Sequence, residues 1–389
     1  MRRHEKARSE DESRSQDQDH RQAERSTAHR EDDAGAGAED PGDSVLQPAA
    51  AQERRLAAVP LPRQVAFGPA PDGVLLRLTC LLLVSCLVTA PAATAADDRP
   101  LRVVTFNLLH GGPWSGLTGD DDDLERRLEL MVAQLRVLEP DVVALQESPV
   151  SRWRGDVAAR LAEALGFVHV HARATERVFP WRLLGRLVMG ALGFVEGPAI
   201  LSRFPIVSSQ VYELPHCVRR LDPRVALRAD VATPAGLLTV YSTHTSRDDC
   251  QTERVAELVS AQPGPLPILL LGDLNTGESA PALRELLGHG FVDLFREANP
   301  DALGATARQD VRAPDPTVRR RIDYVLLLPG REVEASVVSS RVVLNTPGRR
   351  DDGQPLWPSD HYGVFAEIRL SRPVKPLSRH RAISSRQAR

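Results

Sequence analysis

Nine polar side chains stand where apolar runs of this chain begin or stop. "VVTFN" ends at Asn107, "VVALQE" at Gln146 and Glu147, "LTVYSTH" at His244, and "ILLLGDLN" at Asp273 and Asn275. "RIDYV" carries Asp323 at its head, and "PSDH" brings Asp360 and His361 to the threshold of "FAEIRL". One such acid is ordinarily a helix cap or a turn residue. Six such endings together describe a single polar site on one rim of a sheet, because sites are built on loops held by a rigid scaffold. The set holds carboxylates, amides and two imidazoles but no thiol. Hard oxygen donors of this kind suit Mg²⁺ or Mn²⁺, or Ca²⁺, better than Zn²⁺. Neither an HExxH pattern nor a Cys/His zinc spacing is present, no glycine-rich phosphate loop precedes a helix, and no GxSxG occurs. A divalent cation, a positioned carboxylate, amide donors and imidazoles are the requirements of phosphoester hydrolysis. Asp360 and His361 are neighbours, so on extended backbone they face opposite ways and can divide two tasks.

The elements that must position these residues follow from periodicity. "LRVVTFNLL", "DVVALQE", "PAILS", "VALRADV", "LLTVYSTH", "PILLLGD", "RIDYVLLL" and "YGVFAEIRL" read as short strands. "DDDLERRLELMVAQLRVLEP" reads as a helix with acids in its first turn and Pro140 beyond its end, and "RGDVAARLAEALG" as a helix closed by Gly166. Further helices are expected near 248–262 and 279–288. Strands in succession with helices not strictly alternating favour a mixed-sheet α/β sandwich over a Rossmann sheet or a barrel.

The ordered series "FNLLHGG", "DVVALQES", "GPAILSRFPI", "STHTS", "GDLNT", "RIDYVLL" and "SDHYGVFAEI" resembles the successive motifs of the endonuclease/exonuclease/phosphatase superfamily across residues 101–370. The resemblance implies a four-layer α/β sandwich, two mixed β-sheets face to face with helices outside. It implies that Glu147 binds the metal, with Asn107 beside it and Asp360 as a further acid of the metal network. Asp273 would orient or deprotonate the attacking water, and Asn275 would donate to the reacting phosphate. His361 would face the phosphate, held by Asp323, and His244 resembles the second imidazole of secreted deoxyribonucleases and bacterial sphingomyelinases. The implied activity is a Mg²⁺- or Mn²⁺-dependent phosphodiesterase acting on phospholipid or nucleic acid. The late stretch "RRRIDYV" lacks the Trp-Cys of inositol polyphosphate phosphatases, and abasic-site endonucleases have no histidine where His244 stands. Secreted sphingomyelinase and deoxyribonuclease both remain open. A phosphate- or lipid-binding protein without activity is the alternative of a different class, and the intact Asp273/Asn275/His361 set favours the enzyme.

Composition divides the 389 residues unevenly. Residues 1–73 are expected to be a disordered polar leader, since segments such as "HEKARSEDESRSQDQDHRQAERS" hold too little apolar surface to offset ordering entropy. In 74–95, "VLLRLTCLLLVSCLVTAPAATA", the apolar run is too short to span a bilayer and ends in Ala93-Thr94-Ala95, a small-x-small cleavage pattern. A signal peptide cleaved after Ala95 is expected, and a start at Val74 is one explanation of its internal position; a lipoprotein with Cys86 lipidated and an uncleaved anchor are the alternatives. The body is 96–371 and a basic disordered tail covers 372–389. A secreted or envelope-associated protein, bacterial in character, follows from this reading. Cys217 and Cys250, the two cysteines of the body, are then expected to form a disulfide, and two buried free thiols are the alternative. The net charge of −3 names no polyanionic partner, no protein partner is evident, and a monomer is expected. In 176–195, Phe179, Trp181, Leu183, Leu184, Leu187, Val188, Met189, Leu192 and Phe194 accompany Arg182 and Arg186 one helical turn apart. This is the pattern of a membrane-surface helix; a helix packed on the sandwich is the alternative.

Overall fold

A computed structural model describes residues 99–112, 123–179, 181–217, 223–247 and 249–372. The leader, the apolar segment 74–95 and the tail beyond 372 lie outside the described residues. The first sheet runs β12 (Glu334–Val343), β15 (Gly363–Ser371), β1 (Leu101–Asn107), β2 (Val142–Ser151), β5 (Phe194–Ser202), β4 (Val168–His171), with β3 (Gly155–Asp156) paired to β2. The second runs β10 (Val292–Asp293), β11 (Asp323–Leu328), β9 (Ile268–Asp273), β8 (Gly236–His244), β7 (Val225–Thr233), β6 (Ile206–Glu213). A short ribbon joins β13 (Gly348–Arg349) to β14 (Pro355–Leu356). Both sheets are mixed, since β1–β2 and β8–β9 are parallel while their other long neighbours are antiparallel.

Three apolar clusters define four layers. The central one interleaves Val103, Val142 and Ala144 of the first sheet with Leu227, Ala229, Val240, Leu269 and Leu271 of the second. On the outer face of the first sheet, Val104, Phe106 and Leu145 meet α1 (Leu124–Leu138) and α2 (Val157–Leu165). On the outer face of the second, Tyr241 and Leu270 meet α4 (Asp249–Ser260) and α5 (Pro281–Gly288). Between α2 and α4 in sequence comes α3 (Arg182–Leu192), and α6 (Leu294–Ala298) sends Leu294 and Phe295 into the central cluster. The four-layer sandwich expected from the sequence is therefore the observed fold.

The central strands are covered on both faces, and β9 and β11 are buried at every residue, so they read as continuous apolar runs. The edge strands β4, β6 and β12 have partly exposed, polar sequences such as "IVSSQVYE", which is why periodicity passes over them. Helix α1 buries the stripe Leu124, Leu128, Met131 and Leu135. The Asp156 carboxylate accepts from Ala159 N–H at the start of α2, and Gly166 closes that helix in the left-handed region at φ 71°.

Cys217, beyond β6, is joined to Cys250 in the first turn of α4, with their Cα atoms 6.5 Å apart, inside the range a disulfide spans. The link ties an edge strand's exit to the helix covering the second sheet. Non-reducing peptide mapping of the purified protein should recover both cysteines in one fragment. Reduction should lower unfolding stability by about 3–4 kcal/mol, the loop-entropy value for the 33-residue separation. Quantitative thiol labelling of both cysteines without reductant would reject the pairing.

Candidate active site

Strand register delivers the polar residues to one rim. In the second sheet His244 stands opposite Asp273 across the parallel β8–β9 ladder, and Asp323 stands opposite Asp273 across the antiparallel β9–β11 ladder. In the first sheet Asn107 pairs with Gln146, next to Glu147, and β15 runs antiparallel beside β1 with Thr105 opposite Val364. His361 therefore arrives just beyond Asn107, and the ends of both sheets meet. Below that rim Gln146 Nε2 donates to Ser242 Oγ at 3.2 Å, and Ser242 Oγ donates to the Leu145 carbonyl at 3.0 Å, a polar tie between the two sheets.

The side chains converge on the Asp273 carboxylate. Asn107 Nδ2 donates to Asp273 Oδ2 and to Glu147 Oε1, both at 3.1 Å, while its Oδ1 accepts from Leu109 N–H. Asn275 N–H donates to Asp273 Oδ1 at 2.8 Å. His361 Nδ1 donates to Asp323 Oδ2 at 2.9 Å and presents Nε2 at 3.7 Å from Asp273 Oδ2. His244 Nε2 lies 3.4 Å from the same oxygen and near the Asn275 amide, whose Nδ2 donates to the Thr245 carbonyl at 2.9 Å. Arg224 donates to His244 Nδ1 at 2.7 Å, so the proton of the neutral ring sits on Nε2, facing the site. The structure thus brings together Asn107, Glu147, His244, Asp273, Asn275, Asp323 and His361. Asp360, at the same rim, receives Ser359 Oγ at 3.3 Å.

Backbone strain is concentrated here. Glu147 sits in the left-handed region at φ 54°, at an irregularity in the β2–β5 ladder between Leu145 and Ser148. A bulge of this kind re-aims a side chain that regular pleating would send elsewhere. Asn275 (φ 49°) and Leu109 (φ 60°) share that conformation, uncommon for residues with a Cβ, so three of the six such residues among those described stand at this rim.

Electrostatics follow from burial. Burial raises Asp273 well above the usual carboxylate range, and the charge of Asp323 adds to the rise. For His361 burial works against the charge, but Asp323 outweighs it through charge and hydrogen bond and pushes the imidazole up to about 10. The imidazolium is then the form present at neutral pH, with its Nε2–H aimed into the site. His244 goes the other way, held well below the usual imidazole value by burial and then by the Arg224 charge. Burial also raises Asp360, with the Glu147 charge contributing to the rise.

Residues 104–361 match the sequence model of the endonuclease/exonuclease/phosphatase family. The chain belongs to that family. Its members are in general phosphoester hydrolases that use divalent metals. No curated protein matches. Among solved structures, an endonuclease/exonuclease/phosphatase from Beutenbergia cavernae DSM 12333 is similar at 25% identity and TM-score 0.51, over 71% of this chain and 73% of that one. A mannosyl-6-phosphatase from Bacteroides thetaiotaomicron VPI-5482 is similar at 18% identity and TM-score 0.53, over 69% and 99%. D. rerio TDP2 humanized by 14 mutations gives 16% and 0.50, over 69% and 98%.

Several residues that build the site escape a reading of strand ends. Arg127, fully buried on the apolar stripe of α1, donates to the carbonyls of Leu108 at 2.8 Å, Leu109 at 3.1 Å and Pro358 at 3.3 Å, and so joins the loop after β1 to the loop before β15. Its signal is present in the sequence: a cation at the position of the stripe where α1 calls for an apolar residue. Ser359 Oγ donates to the Asn107 carbonyl at 2.7 Å. Gln309 N–H donates to the Asp360 carbonyl at 2.6 Å, and its Oε1 accepts from Tyr362 Oη at 2.8 Å. His110 puts Nε2 3.6 Å from both Glu147 Oε2 and Glu196 Oε2, with Nδ1 accepting from Gly112 N–H. Among the described residues, Glu147, Glu196 and His110 form one of two clusters of ionisable donors; the other is Asp273, Asp323 and His361.

Replacing Arg127 by Met keeps the bulk and removes the donors to three carbonyls. Unfolding in guanidinium should show a loss of about 2–4 kcal/mol. A variant as stable as wild type would show that Arg127 does not hold the two loops.

Proposed function

We propose that the protein is an exported phosphodiesterase that hydrolyses a P–O bond with water and depends on Mg²⁺ or Mn²⁺. The observation that carries the reading is the His361–Asp323 pair at 2.9 Å, set against an Asp273 carboxylate that Asn107, Asn275 and His244 also approach.

The donor set fits a hard cation. Glu147 and Asp360 are carboxylates close enough for the charge of one to raise the other, and neither donor cluster found among the described residues contains a cysteine. Glu147 would hold the metal, with Asp360 in the same network and Asn107 steadying the Glu147 and Asp273 carboxylates through its Nδ2. When bound, the ion supplies charge neutralisation at the phosphate and lowers the proton affinity of the surrounding carboxylates. Asp273 then orients the attacking water and accepts its proton. His361, fixed by Asp323, meets the charge that develops on the phosphate oxygens with an N–H already in place. Asn275 and the Nε2–H of His244 donate from the opposite side, and the neutral state of His244 suits it to hydrogen bonding more than to charge neutralisation.

Export is supported by the segment at 74–95 and by the paired cysteines. A diester more than a monoester is favoured by two imidazoles flanking Asp273, which contribute one persistent positive charge and one neutral donor, and the doubly charged monoester would ask for more. The similar structures include a phosphatase, so monoesters belong in the test.

Purified protein should hydrolyse bis-p-nitrophenyl phosphate in Mg²⁺ or Mn²⁺ and lose that activity in EDTA, with recovery on adding back the metal. Undiminished turnover in excess chelator would remove the metal from the proposal. Sphingomyelin vesicles and plasmid DNA in parallel reactions separate the lipid and nuclease branches, and p-nitrophenyl phosphate tests the monoester. Asp273→Asn and His361→Ala should each lower kcat by about a hundredfold or more, with melting temperatures near wild type. Near-full activity in both would overturn the site assignment.

A further inference from the structure

Helix α3 carries its apolar face outward. Gly185 is its only buried residue, and a Cβ there would meet the Glu176 carbonyl oxygen at 2.0 Å, so the helix rests on the turn Thr175–Arg177 through that glycine. Leu183 and Leu187, one turn apart, fall on the opposite side and are 70% and 62% exposed, with Trp181 at the helix start 75% exposed. A helix packed on the sandwich would bury those leucines, so that alternative does not describe α3. Phe194, which the sequence groups with the same apolar run, is buried against the His110 ring instead.

The charge around this face is one-sided. Arg173, Arg177, Arg182 and Arg186 share two acids, Glu176 and Glu213, leaving positive charge in excess. The Arg182 and Arg186 side chains are each 72% exposed, beside the leucine face. Leucine and tryptophan flanked by surplus arginine match a surface that is apolar within and negative at its boundary. A protein partner of ordinary composition supplies the apolar contact but not the excess of negative charge. The helix also leads directly into β5, whose Phe194 packs on His110 and whose Glu196 lies on the rim of the active site.

We propose that α3 is a docking element for anionic phospholipid membranes, lying in the interface with Trp181, Leu183 and Leu187 inserted and Arg182 and Arg186 at the headgroups. The active-site rim is thereby held at the bilayer surface.

The test uses the full chain and vesicles of phosphatidylglycerol and phosphatidylcholine in equal parts. Leu183→Ser with Leu187→Ser should reduce co-sedimentation about tenfold or more, the scale set by two leucine side chains returned to water. Leu303→Ser, at a still more exposed leucine elsewhere, should leave binding unchanged. The emission of Trp181, taken as wild type minus Trp181→Phe, should shift to the blue on these vesicles and less on phosphatidylcholine alone. That local readout needs neither the double variant to fold nor any turnover, so it stands apart from the proposed hydrolysis. No emission shift, or unchanged sedimentation in a double variant of native melting temperature, overturns the proposal. So does a concentration-dependent dimer in lipid-free solution that the double variant loses, because the face would then belong to a second copy of the chain.

Discussion

Asp273 and Asp323 face one another across neighbouring strands, and both are buried. Two carboxylates so placed repel at low dielectric, and like charges directly opposite destabilise a sheet. The surroundings of the pair read as answers to that cost. His361 supplies a buried positive charge to Asp323, Asn107 and the Asn275 N–H donate to Asp273, and His244 approaches with a polarised N–H. Burial, with the Asp323 charge adding to it, leaves Asp273 displaced upward. A carboxylate raised by its environment accepts a proton more readily than one in water, so the cost of the arrangement is the property that the proposed general-base role would use.

The constraint extends outward. His361 can meet Asp323 only if the segment before β15 keeps one path, and that segment is not regular strand. It is held by Ser359 on the Asn107 carbonyl, by Gln309 on Asp360 and Tyr362, by Trp357 stacked on Tyr362 with centroids 5.4 Å apart, and by Arg127 from beneath. Arg127 in turn grips Leu108 and Leu109, which fix the backbone beyond Asn107. A buried guanidinium is costly unless its donors find acceptors, and here the acceptors are loop carbonyls that would themselves be unsatisfied. Site precision is therefore supplied by α1, an element bearing none of the reacting groups.

What the sequence reveals follows the same physics. Strands buried on both faces announce themselves as apolar runs, and the polar residues ending those runs were legible as a site because each interrupts a strong pattern. Edge strands β4, β6 and β12 carry no such contrast. The adjacency of Asp360 and His361 was visible, and the family resemblance supplied Asp323 as the partner of His361, whereas Gln309, which holds the Asp360 carbonyl from far along the chain, depends on packing that no local pattern encodes. Glu147 was legible by type but not by conformation. Its left-handed backbone exists because β2 slips against β5, and the slip is a property of the pair. Phe194 shows the opposite failure: apolar and next to an exposed helix in sequence, it turns inward because β5 begins there.

Strand β5 joins the two surfaces that bear on function. Its C-terminal half contributes Ala199, Ile200 and Leu201 to the core, and its N-terminal half leaves the helix-capping Gly193 (φ 63°), passes Phe194 beneath His110 and places Glu196 on the rim. Gly197 permits this path, since a Cβ there would meet the Ala172 carbonyl at 1.8 Å. The chain entering from α3 is thus in van der Waals contact with the loop that follows Asn107. The helix itself adds little to the core: it touches the body through a glycine and a short turn, and exposes its leucines at a cost in hydration that packing does not recover. An element so arranged contributes little to folding, and its apolar face gains free energy only when something apolar covers it. That separation lets the surface of α3 vary without disturbing Asp273, while anything that draws α3 to a boundary brings the active-site rim to the same boundary.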